Sequence, residues 1–250
     1  MDFEPYITDA IRIPVLDSAY VPLSIRTLQE STDEEVQEVA AIQLYRFARE
    51  GLADIAPAAE MLQQSYANGI FPWPHEGYPL LWFAPDPRAI LDFDALHIGD
   101  RLARRRRNST YTFTINKCFR TVMEACATVP RADQDGTWIT SAMLKAYTDL
   151  HALGDAHSIE VWDGETLVAG LYGVYVAGVF SGESMFTRVT DGSKLAVLYL
   201  IDHLRSLGLT WLDIEQLTPH FEALGAVEIS RVDFMARLRD AAAKPHIPFV

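Results

Sequence analysis

The stretch Gly182-Glu183-Ser184-Met185-Phe186-Thr187-Arg188 sets a carboxylate, two hydroxyls and a guanidinium side by side, and Asp191-Gly192-Ser193-Lys194 follows at once, ahead of a long apolar run. Groups of these types can bind a charged substrate and move a proton. The run from Ser193 to Leu207 has the pattern of a buried helix, and a helix start leaves backbone N–H groups with no intrahelical acceptor. A carbonyl or phosphate oxygen can fill them. Glu183 also has a plainer reading, an ion pair with Arg188. A second grouping is basic: Arg101, Arg104, Arg105, Arg106 and Arg107 fall within seven positions. On a chain of net charge −13, such a segment would draw a polyanion to one face while the remainder repels it. The alternative is a solvated helix end whose charges are balanced by nearby acids.

The elements that would position these groups can be read from periodicity and turn residues. A β pattern covers His157 to Trp162, Thr166 to Val176 and Val179 to Phe186, with turns at Asp163-Gly164 and Ala177-Gly178. The helix after it stops at Gly208, and Thr210 to Glu215 reads as a further strand. Upstream, helices are expected over Ala56 to Asn68, Asn116 to Thr128 and Ser141 to Leu153, the last capped by Thr140 or Ser141. A strand is expected over Tyr111 to Ile115. Gly69 to Pro74 and Leu81 to Arg88 are rich in proline and aromatics, which excludes a central strand and suggests a rigid loop. Trp73 on that loop could stack on a nucleotide base. An amphipathic helix is expected near Asp33 to Arg49.

The meander, central helix and returning strand follow the order of the GNAT acyltransferase fold, in which adjacent strands splay around an acyl donor. The fold class expected is therefore α+β, with a GNAT-like catalytic domain over residues 106–250. A smaller α/β domain with the proline and aromatic loop covers 56–105, and residues 1–55 form an extension of unassigned role. A chain of 250 residues, 49% hydrophobic, can bury a full core. No apolar run is long enough to span a membrane, and the start Met1-Asp2-Phe3-Glu4-Pro5 has no signal-peptide pattern, so a cytoplasmic protein is expected. Cys118 and Cys126 lack any Cys/His cluster and read as buried thiols.

In order along the chain stand Gly69-Ile70-Phe71-Pro72-Trp73, Ala84-Pro85-Asp86-Pro87-Arg88, Gly136-Thr137-Trp138-Ile139-Thr140, His157-Ser158-Ile159-Glu160-Val161-Trp162 and Gly182-Glu183-Ser184-Met185-Phe186. Ser193-Lys194, His220 and Leu224-Gly225-Ala226 follow. With this ordered set the chain resembles the leucyl/phenylalanyl-tRNA–protein transferases over roughly residues 60–238. The resemblance implies transfer of Leu or Phe from a charged tRNA to the N-terminal amine of a protein, with N-terminal Arg or Lys proteins as acceptors. It implies no cofactor, no metal, no DNA and no membrane partner.

Transfer of this kind is aminolysis of an ester, which requires removal of a proton from an ammonium group and stabilisation of an oxyanion. The resemblance maps the catalytic pair onto Asp213 and Glu215. Glu215 stands where the family has Gln, and Gln216 could contribute through a local bulge. Glu183, Ser184, Asp191 and Thr218 map around the reaction centre, and Asp191 and Thr218 both replace Asn. The aminoacyl pocket maps to Leu171, Phe180, Leu200 and Leu204. Donor tRNA would meet Trp73, Trp138, Tyr147 and the arginines 101 and 104–107, with Trp138 on the terminal adenosine and Tyr147 supporting it. Two other readings stand beside this one: a CoA-dependent N-acyltransferase, and a non-catalytic protein that binds tRNA or degrons. Against the first, Arg188 to Ser193 lacks a second glycine and carries an acid where a diphosphate would lie.

Overall fold

The structure is a computed structural model that describes residues 57–74, 80–129 and 137–250. The helix expected at Asp33 to Arg49, the extension 1–55 and Gly136 lie outside the described residues. The core is a seven-stranded sheet of order β4 (Thr112–Ile115), β5 (Ala156–Asp163), β6 (Thr166–Val176), β7 (Val179–Thr187), β8 (Trp211–Glu215), β3 (Arg88–Asp92) and β9 (Val227–Ile229). Its centre is a meander of β5 (Ala156–Asp163), β6 (Thr166–Val176) and β7 (Val179–Thr187). The β6–β7 turn has two consecutive left-handed residues, Ala177 at φ 54° and Gly178 at φ 73°, the backbone that a tight two-residue hairpin requires. Helix α5 (Gly192–Ser206) crosses one face, and β8 (Trp211–Glu215) returns parallel to β7.

Residues Leu167 to Tyr175 of β6 are buried without a break, because helices cover both faces of the sheet. On one face Leu171 and Tyr175 pack with Leu195, Leu200 and Leu204 of α5. On the other, Tyr172 and Val174 pack with residues of α1 (Ala59–Tyr66), α3 (Phe119–Ala127) and α4 (Ser141–Ala152). Thr140 is the cap of α4, its side chain accepting from Met143 N. Helix α3 starts three residues later than expected. Asn116 sits at φ 58°, and its side chain accepts from Ser158 N and bonds His157 Nδ1, so it ends a strand instead of opening a helix. Cys118 is half-buried just before α3, while Cys126 is buried within it.

Strand β4 (Thr112–Ile115) forms one edge. At the other edge β3 (Arg88–Asp92) is held between β8 and β9 (Val227–Ile229), antiparallel to both. The sheet thus crosses the boundary expected near residue 105, since β3 comes from the upstream segment. The proline and aromatic stretch is a separate two-stranded sheet, β1 (Phe71–Trp73) with β2 (Leu81–Phe83), where Pro72 interrupts no central ladder. The arginine segment is itself a helix, α2 (Asp100–Arg107). Two C-terminal helices, α6 (Pro219–Glu222) and α7 (Arg231–Ala242), were not expected from the sequence.

Candidate active site

Strands β7 and β8 share a single register position, Ser181 opposite Asp213. Beyond it, Gly182 to Met185 and Ile214 to Gln216 line a cavity of about 400 Å³. Each strand carries a bulge here. Tyr172 pairs with Ser184 and Gly173 with Gly182, so Glu183 is the extra residue of β7. Ala89 pairs with Glu215 and Ile90 with Asp213, so Ile214 is the extra residue of β8. A bulge re-aims side chains out of strict alternation, and Glu215 also has a left-handed backbone, φ 62°. Gly173 is required by close approach: a Cβ there would lie 2.3 Å from Ser181 O and 2.4 Å from the Phe180 ring.

Arg88 anchors the floor. It is fully buried, between the rings of Phe71 at 4.8 Å and Phe234 at 4.9 Å. Its Nε donates to Asp213 Oδ1 at 2.9 Å and its Nη2 to Oδ2 at 2.6 Å. Burial works against the Arg88 charge, but the bonded Asp213 carboxylate outweighs it and the guanidinium is held more strongly protonated than usual. Asp213 also accepts from Ser181 Oγ and from Glu215 N. With these partners it orients its neighbours and does not line the cavity. Asp213 and Glu215 both approach Arg88 Nη2, at 2.6 Å and 3.9 Å, but of the two only Glu215 lines the cavity.

Glu215 lines the cavity with Arg88 Nη2 3.9 Å from its Oε1. Burial and the neighbouring Glu183 push its carboxyl well above the usual range. Glu183, partly buried on the β7 bulge, accepts from Tyr66 Oη at 2.5 Å and from Tyr147 Oη at 3.1 Å, and the two hydroxyls lie 2.6 Å apart. Burial lifts Glu183 to about 7, a rise that the two phenols oppose when both donate to its ionised form. The simple Glu183–Arg188 pair does not form; Arg188 donates to Leu167 O and lies over the Phe186 ring.

Other expected residues divide. Leu171, Leu200, Ser184, Thr218, Trp73 and Trp138 line the cavity together with Met185, Val197, Leu212 and Ile214. Phe180 and Leu204 do not; both are fully buried in the core, Phe180 beside the Phe249 ring. Tyr147, expected near donor tRNA, is buried with its hydroxyl on Glu183, although its ring does meet that of Trp138 edge-on at 6.2 Å. Asp191 starts α5 at φ 60°, with Arg101 3.7 Å from its carboxylate, and lies outside the cavity lining. Thr218 caps α6 by accepting from Phe221 N. All five arginines of α2 are exposed; Arg105 reaches Thr190 O just before α5 and Arg106 pairs with Asp202 within it, which puts the helix alongside α5.

Tyr66, Arg88 and Ser181 are site residues that no sequence signal singled out, although Arg88 ends one of the motifs; Gln216, expected to contribute through a local bulge, lines the cavity. His157 stacks on Phe249 at 4.0 Å, and burial lowers it to about 4. Among the described residues no three His, Cys, Asp or Glu side chains converge as a metal site, and no helix is long and apolar enough to cross a membrane.

A β-meander, a central helix, and a parallel strand that splays from the meander beside a carboxylate-lined cavity define a GNAT-like α+β acyltransferase fold. The family model described as leucyl/phenylalanyl-tRNA protein transferase matches residues 90–239, and that of its N-terminal domain matches 57–86. The chain belongs to this family. It is 45% identical over 195 residues to a leucyl/phenylalanyl-tRNA–protein transferase of Xanthomonas axonopodis pv. citri, covering 78% of each chain. It is 47% identical over 192 residues to that of Nitratidesulfovibrio vulgaris, covering 77% of this chain and 81% of the relative. A looser likeness is to a GCN5-related N-acetyltransferase from Kribbella flavida, with TM-score 0.36 and 12% identity over 84% of this chain and 72% of that one.

Proposed function

We propose that this cavity transfers Leu or Phe from charged tRNA to the N-terminal amine of proteins that begin with Arg or Lys, in the cytoplasm. The observation that carries the reading is the pairing of an apolar pocket with two carboxylates: Leu171, Met185, Val197, Leu200 and Leu212 line the same space as Glu183 and Glu215. The apolar wall suits a Leu or Phe side chain. The negative charge carried by this glutamate pair attracts a cationic N-terminus and repels an acidic one. Trp73 and Trp138 on the rim offer aromatic faces for the terminal adenosine of the donor. A diphosphate at the start of α5 would instead meet the Asp191 carboxylate, so a CoA donor suits the site less well.

The deciding experiment supplies the purified protein with separately charged tRNAs and peptides beginning with Arg, Lys, Asp or Ala, and follows label transfer. Leu or Phe should pass to the Arg and Lys peptides; no transfer from any tRNA defeats the reading. Two variants refine it. Leu200→Phe fills the pocket and should reduce transfer of Phe more than of Leu, by about 1–3 kcal/mol. An unmoved Phe to Leu ratio would place the side-chain pocket elsewhere. Replacing Arg104 to Arg107 by Gln should weaken tRNA binding and flatten its salt dependence by roughly one unit of slope per lost phosphate contact. Unchanged affinity and slope would leave α2 as a solvated helix.

A further inference from the structure

The contacts around Glu183 do not balance if it is ionised. Four oxygens make three contacts in a ring: Glu183 Oε1 to Tyr66 Oη at 2.5 Å, Tyr66 Oη to Tyr147 Oη at 2.6 Å, and Tyr147 Oη back to Glu183 Oε2 at 3.1 Å. Two phenols supply two hydrogens. With an ionised Glu183 one contact therefore holds no hydrogen and sets two oxygens against each other: the 2.6 Å contact if both phenols donate to Glu183, or the 3.1 Å contact to the carboxylate if Tyr147 donates to Tyr66. Neither phenol escapes by ionising, since burial and the Glu183 charge hold both well above the usual tyrosine range. Water is kept from the pair by their depth: Tyr66 is 5% and Tyr147 0% exposed. One added proton on Glu183 fills all three contacts in one direction around the ring. Tyr66 then donates to one carboxyl oxygen, Tyr147 donates to Tyr66, and the other carboxyl oxygen donates to Tyr147.

We infer that Tyr66 and Tyr147 are positioning residues that hold a proton on Glu183, so that Glu183 rests as an acid beside Glu215 as a base. The surrounding charges favour a proton on the pair. Arg88 from β3 is committed to Asp213 of β8 and stands 3.9 Å from Glu215. Two ionised glutamates would therefore leave two uncompensated charges in a buried site, and a proton on Glu183 leaves one. Tyr172 of β6 is the remaining titratable group facing Tyr147, and it is buried.

The chemical use of this arrangement rests on the proposed transfer. Glu215 takes one proton from the acceptor ammonium, and the freed amine attacks the ester carbonyl to form the C–N bond. As the bond from carbonyl carbon to the 3′ oxygen breaks, Glu183 gives its proton to that oxygen. The second proton leaving nitrogen restores Glu183, and the proton on Glu215 passes to solvent. One amide, one free 3′ hydroxyl and one released proton balance the ammonium and ester consumed.

Two measurements test the inference, the first without any need for turnover. Infrared spectroscopy of the full-length protein at neutral pH should show a protonated carboxyl band that shifts in Tyr66→Phe and in Tyr147→Phe, whose hydroxyls bond it. A wild-type protein without such a band, or a band that neither variant moves, overturns the assignment even if transfer is normal. The second is the pH profile of single-turnover transfer. Breaking the ring lowers the affinity of Glu183 for its proton, so the alkaline limb should move down by on the order of one pH unit in Tyr147→Phe, with tRNA affinity unchanged. If the tyrosines served only to stabilise an ionised Glu183, their loss would move that limb upward, which would also overturn the inference.

Discussion

Arg88→Met should destabilise the protein by about 3–5 kcal/mol, because it strands the buried Asp213 carboxylate without its bidentate partner. Arg88 is 0% exposed and Asp213 1% exposed, so solvent cannot replace the lost bonds. The methionine retains contact with the Phe71 and Phe234 rings, which leaves the charge as the principal loss. Urea unfolding measures the effect directly. Removing both charges in Arg88→Met with Asp213→Leu should recover much of the stability, though transfer should remain impaired because Glu215 N loses its acceptor. A single variant within about 0.5 kcal/mol of wild type would show that the pair carries no such weight.

Glu215→Ala should reduce single-turnover transfer by on the order of 100-fold or more while tRNA binding persists, as expected for loss of a positioned proton acceptor. The left-handed backbone at Glu215 disfavours any side chain, Ala included, so Glu215→Gln is the control for local geometry. Its amide cannot take the ammonium proton, so it should also slow transfer, with the residual reaction using amine that is already deprotonated. Its pH profile should change with a definite sign. The neutral amide no longer penalises the Glu183 charge, so Glu183 loses its proton at lower pH and the alkaline limb moves down. Wild-type transfer by Glu215→Ala would show that Glu215 is not the base and leave the proton to a hydroxyl of the substrate itself.

The central elements were legible because their signals are local. The meander declares itself by apolar runs between Asp163-Gly164 and Ala177-Gly178, and α5 by its apolar stretch ending at Gly208. Strands β3 and β9 were not. Arg88 to Asp92 follows prolines and carries a charge at each end, and it is a strand only because β8 and β9 flank it. Within the site, Glu183 and Glu215 could be named from motif and position. Their geometry could not, since it depends on two bulges that break the alternation used to assign strand faces. Tyr147 shows the same limit: its spacing from Trp138 is a helical fact, but its burial against Glu183 is decided by α1 and β7. The pocket residues Phe180 and Leu204 were apolar and near in sequence to true lining residues, yet their side chains are spent in the core.

The place of β3 between β8 and β9 bears on the order of events as the chain leaves the ribosome. Arg88 meets Asp213 across 125 positions of sequence, and β9 must follow before β3 has both neighbours. Local hairpins such as β5–β6–β7 can form while synthesis continues, but contacts of this span carry a large loop-closure entropy and come late. The carboxylate-lined cavity therefore cannot exist in a nascent chain that ends before β8. Until β8 and β9 have emerged, Ile90 and Leu91 are an unpaired apolar strand with two open edges, the segment most exposed to mispairing and the natural place for a chaperone to hold.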